Sequence, residues 1–262
     1  MQFPSIVAKD NKLIKLVLSL AQDLSMRKHL SQAVIYGEHC LVEASKQQVI
    51  EQIFVLETAI QDYLPIITQN LHDKIILLSA PAMAKINILD SKLRIAALVR
   101  VSYLNAQDGV HGGDSLWLER IQDPGNLGTI LRAASAAAVK QVYISAGSVD
   151  VYNPKVLRAA QGIQFGLDIR TDCNLLELAT NYQGQLLAFS PHVTTSVYAQ
   201  DLRVPTALIF GNEGSGISPE LLAQIDSSVS IPMPGTAESL NLAMAATVAL
   251  FELARQRIIG YL

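Results

Sequence analysis

From residue 115 onward the chain alternates short apolar runs with helical stretches, and this alternation narrows the possible folds more than any other feature. LWLERI (116–121), VYIS (142–145), QLLAFS (185–190) and TALIF (206–210) read as strands. Between the first two, Leu127, Ile130, Leu131 and Ala134 recur at helical spacing and make a buried stripe. NPKVLRAAQ (153–161) starts a helix, with Asn153 as N-cap and Pro154 at the first helical position, where its missing N–H costs nothing. Ser218-Pro219 opens another by the same device, and Ser239 is placed to cap a long final helix running to about Ile259. Such an order predicts an α/β domain with a mostly parallel sheet and helices on both faces.

Upstream the pattern is shorter. AVIYGEH (33–39) reads as a strand leading into a helix from about Cys40 to Gln48. VIEQIFVLE (49–57), KIILLSA (74–80) and IAALVRVS (95–102) read as further strands. Leu13, Leu16, Val17, Leu20 and Leu24 lie near helical spacing and predict a helix before them. NAQDGVHGGD (105–114) gathers Asn, Gly, Asp and His between apolar segments and is the best linker candidate. The expected division is a smaller α/β domain over 1–105, a linker over 106–114 and the larger domain over 115–262.

Half of the 262 residues are hydrophobic, enough for a proper core. The two cysteines, Cys40 and Cys173, stand far apart and outside any CxxC pair, which points to a reducing, cytoplasmic setting rather than to disulfides or zinc. Charged residues punctuate the first 25 positions, so no signal peptide is expected there. The longest apolar run, Leu240 to Leu253, is interrupted by Asn241, Thr247 and Glu252 and is too short for a comfortable membrane span. Net charge is −3, which alone argues against a nucleic-acid partner. Its distribution is uneven: residues 1–112 hold 11 Lys/Arg against 10 Asp/Glu, and residues 113–262 hold 9 against 13. Arg27 and Lys28 belong to a basic cluster near the start, which suits either a solvated helix face or a phosphate contact.

Three segments carry the chemistry: DPGNLGTILRAA (123–134), LIFGNEGSGIS (208–218) and SIPMPGTAESLNLAMAA (230–246). Their loops are expected to gather at the carboxyl edge of the parallel sheet, where open α/β folds bind ligands. In the first, Gly128 and Arg132 share a helix face, leaving room beside a guanidinium near a helix N-terminus; an anion site and a plain surface ion pair both fit Arg132. In the second, GNEGSG has the spacing GxxGxG, not the dinucleotide fingerprint GxGxxG. A turn needing positive φ explains some of these glycines, but three around a lone Glu213 exceed what a turn requires. In the third, capping accounts for Ser239 but not for Asn241, an amide expected to be buried or to face a ligand inside an Ala/Leu/Met helix.

Together the three segments resemble the motifs of the SpoU (TrmH-type) branch of the SPOUT RNA methyltransferases, in order and at the usual spacing. YNPKVLRAAQG (152–162) resembles that family's Pro-Lys-hydrophobic-hydrophobic-Arg-Ala segment, and EHCLVEA (38–44) is similar to the start of a substrate-binding domain often fused to these enzymes. That domain is similar to small α/β RNA-binding ribosomal proteins. The resemblance implies a sheet domain whose C-terminus is threaded into a deep trefoil knot, an exception to the rule against knots. It implies S-adenosylmethionine as cofactor, contacted mainly by Gly211, Ile231 and Leu240, and a homodimer packed through the first-motif and C-terminal helices with a shared site. The implied acceptor is a ribose 2′-hydroxyl of RNA, most naturally ribosomal RNA, with Arg27 and Lys28 among the RNA contacts.

The same resemblance makes Arg132 the candidate base. A guanidinium normally stays protonated, so holding the substrate phosphate and stabilising developing negative charge is the other role open to it. Asn126 is implied to orient Arg132 or the ribose, with Glu213, Ser239 and Asn241 holding that geometry. No metal is needed, and His29, His39, His72, His111 and His192 show no ligand spacing. The family often has Ser or Thr where Ala160 stands and Ser where Ala243 stands, the latter a hydroxyl expected near the cofactor. An RNA-binding assembly factor with a decayed methylation site is the main alternative; a nucleotide-dependent oxidoreductase has the wrong glycine spacing.

Overall fold

A computed structural model of the protein describes residues 3–8, 10–89, 92–104 and 112–259; residues 105–111 of the expected linker lie outside them. Residues 1–103 with 150–165 form one unit, and residues 104–149 with 166–262 form a second.

The first unit begins with strand β1 (Ser5–Ile6) and helix α1 (Lys12–Gln22), whose N-cap Asn11 accepts from Leu13 N–H. Ile14, Val17 and Leu20 of α1 are buried. One helix was expected here, but Asp23 ends α1 and caps a second, α2 (Leu24–Leu30), which leaves Leu24 exposed rather than on the stripe. There follow β2 (Gln32–Tyr36), α3 (Glu38–Lys46), β3 (Ile50–Leu56), α4 (Ile60–Tyr63), β4 (Ile75–Leu78), α5 (Ala80–Ile86) and β5 (Ile95–Arg100). The sheet order is β1-β4-β3-β5-β2, with β5 antiparallel to both neighbours and the other pairs parallel.

The second unit opens with β6 (Ser115–Leu118), α6 (Pro124–Ala136) and β7 (Gln141–Ser145). The chain then returns to the first unit for α7 (Pro154–Ala160), the helix with Asn153 as N-cap and Pro154 at its start. A purely sequential division at 115 places this helix elsewhere. It packs on β2, and Cys40 Sγ lies 3.4 Å from the Leu157 carbonyl.

The second unit continues with β8 (Asp168–Cys173), α8 (Leu175–Asn181), β9 (Gln185–Phe189), β10 (Thr206–Phe210), α9 (Pro219–Leu222), β11 (Ser227–Val229) and α10 (Leu242–Ile259). Its sheet has the order β11-β9-β10-β6-β7-β8, and every pair is parallel. Trp117, Tyr143 and Ile209 are fully buried in it, as strands covered on both faces require. Helix α10 packs against α6 and β10 through small and branched residues, among them Ala246, Ala249 and Leu250.

The final helix starts later than expected. Ser239 does not cap it; the Asn241 side chain accepts from Ala243 N–H at 2.9 Å and Met244 N–H at 3.3 Å. Asn241 is therefore the residue that serves the orphan donors of the first turn, and it sits outside the helix, not within it. No helix of the described residues is long and apolar enough to cross a membrane.

Candidate active site

Strands β6 and β10 lie side by side, yet the chain leaves them in opposite directions, towards β7 and towards β11. A crevice forms at the carboxyl ends of strands where such a reversal occurs. The loops after β6, β10 and β11 meet there, and these are the three motif segments.

The loop after β10 folds back on itself. Asn212 N–H bonds the Gly216 carbonyl at 3.0 Å, and Gly216 N–H returns to the Asn212 carbonyl at 2.9 Å. Gly211 lies under that return: a Cβ there would sit 2.2 Å from the Gly216 carbonyl carbon. Only glycine permits so close a backbone approach. Asn212 completes the turn by accepting from Gly214 N–H and Ser215 N–H, both at 3.0 Å.

This turn presents Glu213 to the first motif. Its carboxylate accepts from Gln122 N–H at 3.2 Å, Asp123 N–H at 3.1 Å and Asn126 Nδ2 at 3.2 Å. Burial alone pushes the Glu213 carboxyl up, but the N–H groups of Glu213 itself, Asp123 and Gln122, with the Asn126 amide, outweigh it and hold the group below the ordinary carboxylate range. Asp123 meanwhile caps α6, accepting from Asn126 N–H at 2.7 Å.

The third motif closes the chain of bonds. Asn241 Nδ2 donates to Asn126 Oδ1 at 3.0 Å. Every orientation in the series follows from its neighbours: the carboxylate only accepts, so Asn126 must donate to it and receive from Asn241. Asn241 in turn offers its oxygen to the start of α10. The first segment is thereby joined to the second across 87 residues, through Asn126 and Glu213, and to the third across 115, through Asn126 and Asn241.

Around this polar seam lies a cavity of about 670 Å³, within the usual range for small-molecule sites. Gly211, Ile231, Ser239 and Leu240 line it together with Asn126, Glu213 and Asn241. Of the two settings open to Asn241, burial or a place facing a ligand, burial is not found: it is exposed at the rim, where it lines the cavity. Arg132 lines no part of the cavity; it stands exposed on α6 with no hydrogen-bond or ion-pair partner among the described residues, so the surface ion pair is absent. Ala243 is buried and does not line the cavity, so the missing hydroxyl there is not at the cavity wall.

Sequence reasoning missed the loop Ser190-Pro191-His192, which also lines the cavity, and the pair Phe189 and Phe210, whose rings stack at 4.5 Å. The signal was available: QLLAFS ends a parallel strand, so its loop belongs to the same edge. Asn212 was passed over as well, although Asn in a glycine-rich turn is a standard turn-former.

Arg27 requires a correction. It is 2% exposed, its Nε donates to Asp150 at 2.6 Å and its Nη1 to the Leu20 carbonyl at 2.7 Å, all within the first unit. A guanidinium committed in this way has no face left for RNA. Lys28 is exposed, with its ammonium 5.5 Å from the centre of the Tyr103 ring. Both cysteines are buried thiols, Cys40 pushed up to about 12 and Cys173 to about 11, chiefly by burial. No group of three or more His, Cys, Asp or Glu among the described residues could hold a metal ion.

A fold and site of this kind define a class, and the comparisons with known proteins agree with it. Residues 115–251 match the model of the SpoU rRNA Methylase family. An uncharacterized tRNA/rRNA methyltransferase of Synechocystis sp. is 33% identical over 97% of this chain and 94% of its own. The 23S rRNA (guanosine(2553)-2′-O)-methyltransferase RlmP of Bacillus subtilis is 31% identical over 84% of this chain and 87% of its own. The crystal structure of the SpoU methyltransferase AviRb from Streptomyces viridochromogenes superposes with a TM-score of 0.81 at 25% identity, covering 95% of this chain and 99% of that one. The chain belongs to the SpoU rRNA methylase family.

Proposed function

We propose that the protein transfers a methyl group from S-adenosylmethionine to a ribose 2′-hydroxyl of ribosomal RNA. The observation that carries this reading is the hydrogen-bonded seam Glu213–Asn126–Asn241, which brings three family motifs to one cavity. The cavity fits the cofactor's chemistry: Phe210, Ile231 and Leu240 offer an apolar wall, and the carboxylates of Glu213 and Glu238 suit a cation. Gly211, Ile231 and Leu240 would hold the cofactor, which supplies, when bound, an electrophilic methyl on sulfur. Displacement at such a methyl is in line, so positioning lowers much of the barrier.

Asn126, fixed from both sides, orients the ribose, and Ser239 and Asn241 keep the third loop in register. Arg132 grips the phosphate beside the reacting hydroxyl and stabilises the negative charge that develops as the proton leaves. Because Arg132 lines no part of its own cavity, one protomer's Arg132 serves the other protomer's site in a homodimer. Met244, Phe251 and Ile258, exposed along α10, supply the apolar face for that pairing. The segment from 230 onward is threaded through the chain as a knot, and Lys28, with Lys12 and Lys15 also exposed in the first unit, lets that unit bind RNA. The setting is the cytoplasm, where ribosomal RNA is found.

Purified protein incubated with labelled S-adenosylmethionine and ribosomal RNA should place label in a ribose-methylated nucleotide. Cofactor binding without any transfer would favour an assembly role instead.

A further inference from the structure

Six non-glycine residues among those described have positive φ. Ser31, Gln48, Ala138 and Gln161 follow helices, where a left-handed residue is an ordinary stop. Asp172 lies in the irregular stretch of β8. Arg120, with φ of 52°, has neither excuse: it sits just past β6, in the loop that leads to α6.

Three groups hold it there. Ser145 Oγ accepts from its N–H at 2.9 Å, and its carbonyl accepts from Asn212 Nδ2 at 2.9 Å and Gln122 Nε2 at 3.2 Å. Both Asn212 and Gln122 line the outer part of the crevice. Ile121 N–H to Ser148 Oγ and Gln122 Nε2 to the Gly147 carbonyl tie the neighbouring residues to the loop after β7. The side chain runs along Gly147, where a Cβ would come within 3.9 Å of Arg120 Cγ.

The guanidinium itself is exposed and has no partner among the described residues, although three carboxylates belong to the same loops. Each is engaged with backbone instead: Glu119 with Ser218 N–H, Asp123 with Asn126 N–H, and Glu213 with Gln122 and Asp123 N–H. A strained cation, left free and anchored through its backbone to two residues that line a polar crevice, is suited to an anion from outside.

We propose that Arg120 binds an RNA phosphate beside the crevice, a contact separate from that of Arg132. The proposal rests on the RNA-methyltransferase reading of the site. Arg120→Gly tests it well, because glycine accepts positive φ without strain while removing the charge. We expect its melting temperature to hold or rise, and its KM for ribosomal RNA to increase about ten-fold, with kcat and cofactor affinity unchanged. The slope of log affinity against log salt should shrink by about 1, and Arg120→Lys should restore part of the loss. Unchanged RNA affinity and salt slope in Arg120→Gly would overturn the proposal, as would equal losses in Arg120→Gly and Arg120→Lys accompanied by lower melting. RNA binding is read by fluorescence anisotropy as well as turnover. Wild-type protein that binds RNA without transferring methyl would therefore count against the proposed function alone, and the anisotropy series would still decide Arg120.

Discussion

Arg27 and Arg132 occupy two very different settings. Arg27 is sealed in the first unit against Asp150, with side chains 3% and 6% exposed; Arg132 stands in solvent on α6 with no partner among the described residues. A buried charge must be answered by its surroundings, because removing it from water costs several kcal/mol. An exposed one is free to answer something else. The first arginine therefore holds structure together, and the second is available to a substrate.

Substitution of the two should separate fold from chemistry. Arg27→Ala leaves the buried Asp150 carboxylate without its counter-charge, held only by the Tyr103 hydroxyl and the Tyr152 N–H, and denaturant unfolding should show a loss of about 3–5 kcal/mol. Arg132→Ala should leave stability within about 0.5 kcal/mol, while methyl transfer falls about 100-fold or more. Equal stability losses in both variants would erase the distinction. Gly211→Ala should come next, because its Cβ meets backbone that cannot swing aside; we expect about 1–3 kcal/mol of destabilisation and loss of cofactor binding by calorimetry. Asn241→Ala removes the cap of α10 and the bond to Asn126. A loss of about 1 kcal/mol in thermal unfolding, with weaker cofactor binding, is the expected result.

The smallest effect concerns pH. The Glu213 carboxyl is held below its ordinary range, so its contribution is fully present above that range and disappears as pH falls through the lowered folded value. Cofactor affinity measured over a pH series should therefore stay level from neutral to mildly acidic solution and fall only in stronger acid. Asn126→Ala, which removes one of the donors, should move that fall to higher pH.

Much of the second unit was legible because β6, β7, β9 and β10 are covered on both faces and read as unbroken apolar runs. Strand β8 was missed: it lies at the sheet edge and carries Asp168, Arg170 and Asp172 in alternation. The burial of Arg27 was invisible, since its partner lies 123 residues away and arrives on a segment that crosses back from the second half. Asn126, Glu213 and Asn241 could be picked out by type and spacing. Their mutual bonds could not, because they depend on which strands become neighbours. Ser239 and Asn241 are both good capping residues, and which of them starts α10 is decided by the bond that Asn241 also makes to Asn126.

The central claim is the transfer of methyl to a sugar oxygen. Its most direct test is mass spectrometry of nucleosides from ribosomal RNA after incubation with the protein and S-adenosylmethionine, alongside Arg132→Ala. The account predicts one new 2′-O-methylated nucleoside with the wild type and almost none with the variant. Methyl found on a base, or full activity in Arg132→Ala, would contradict it.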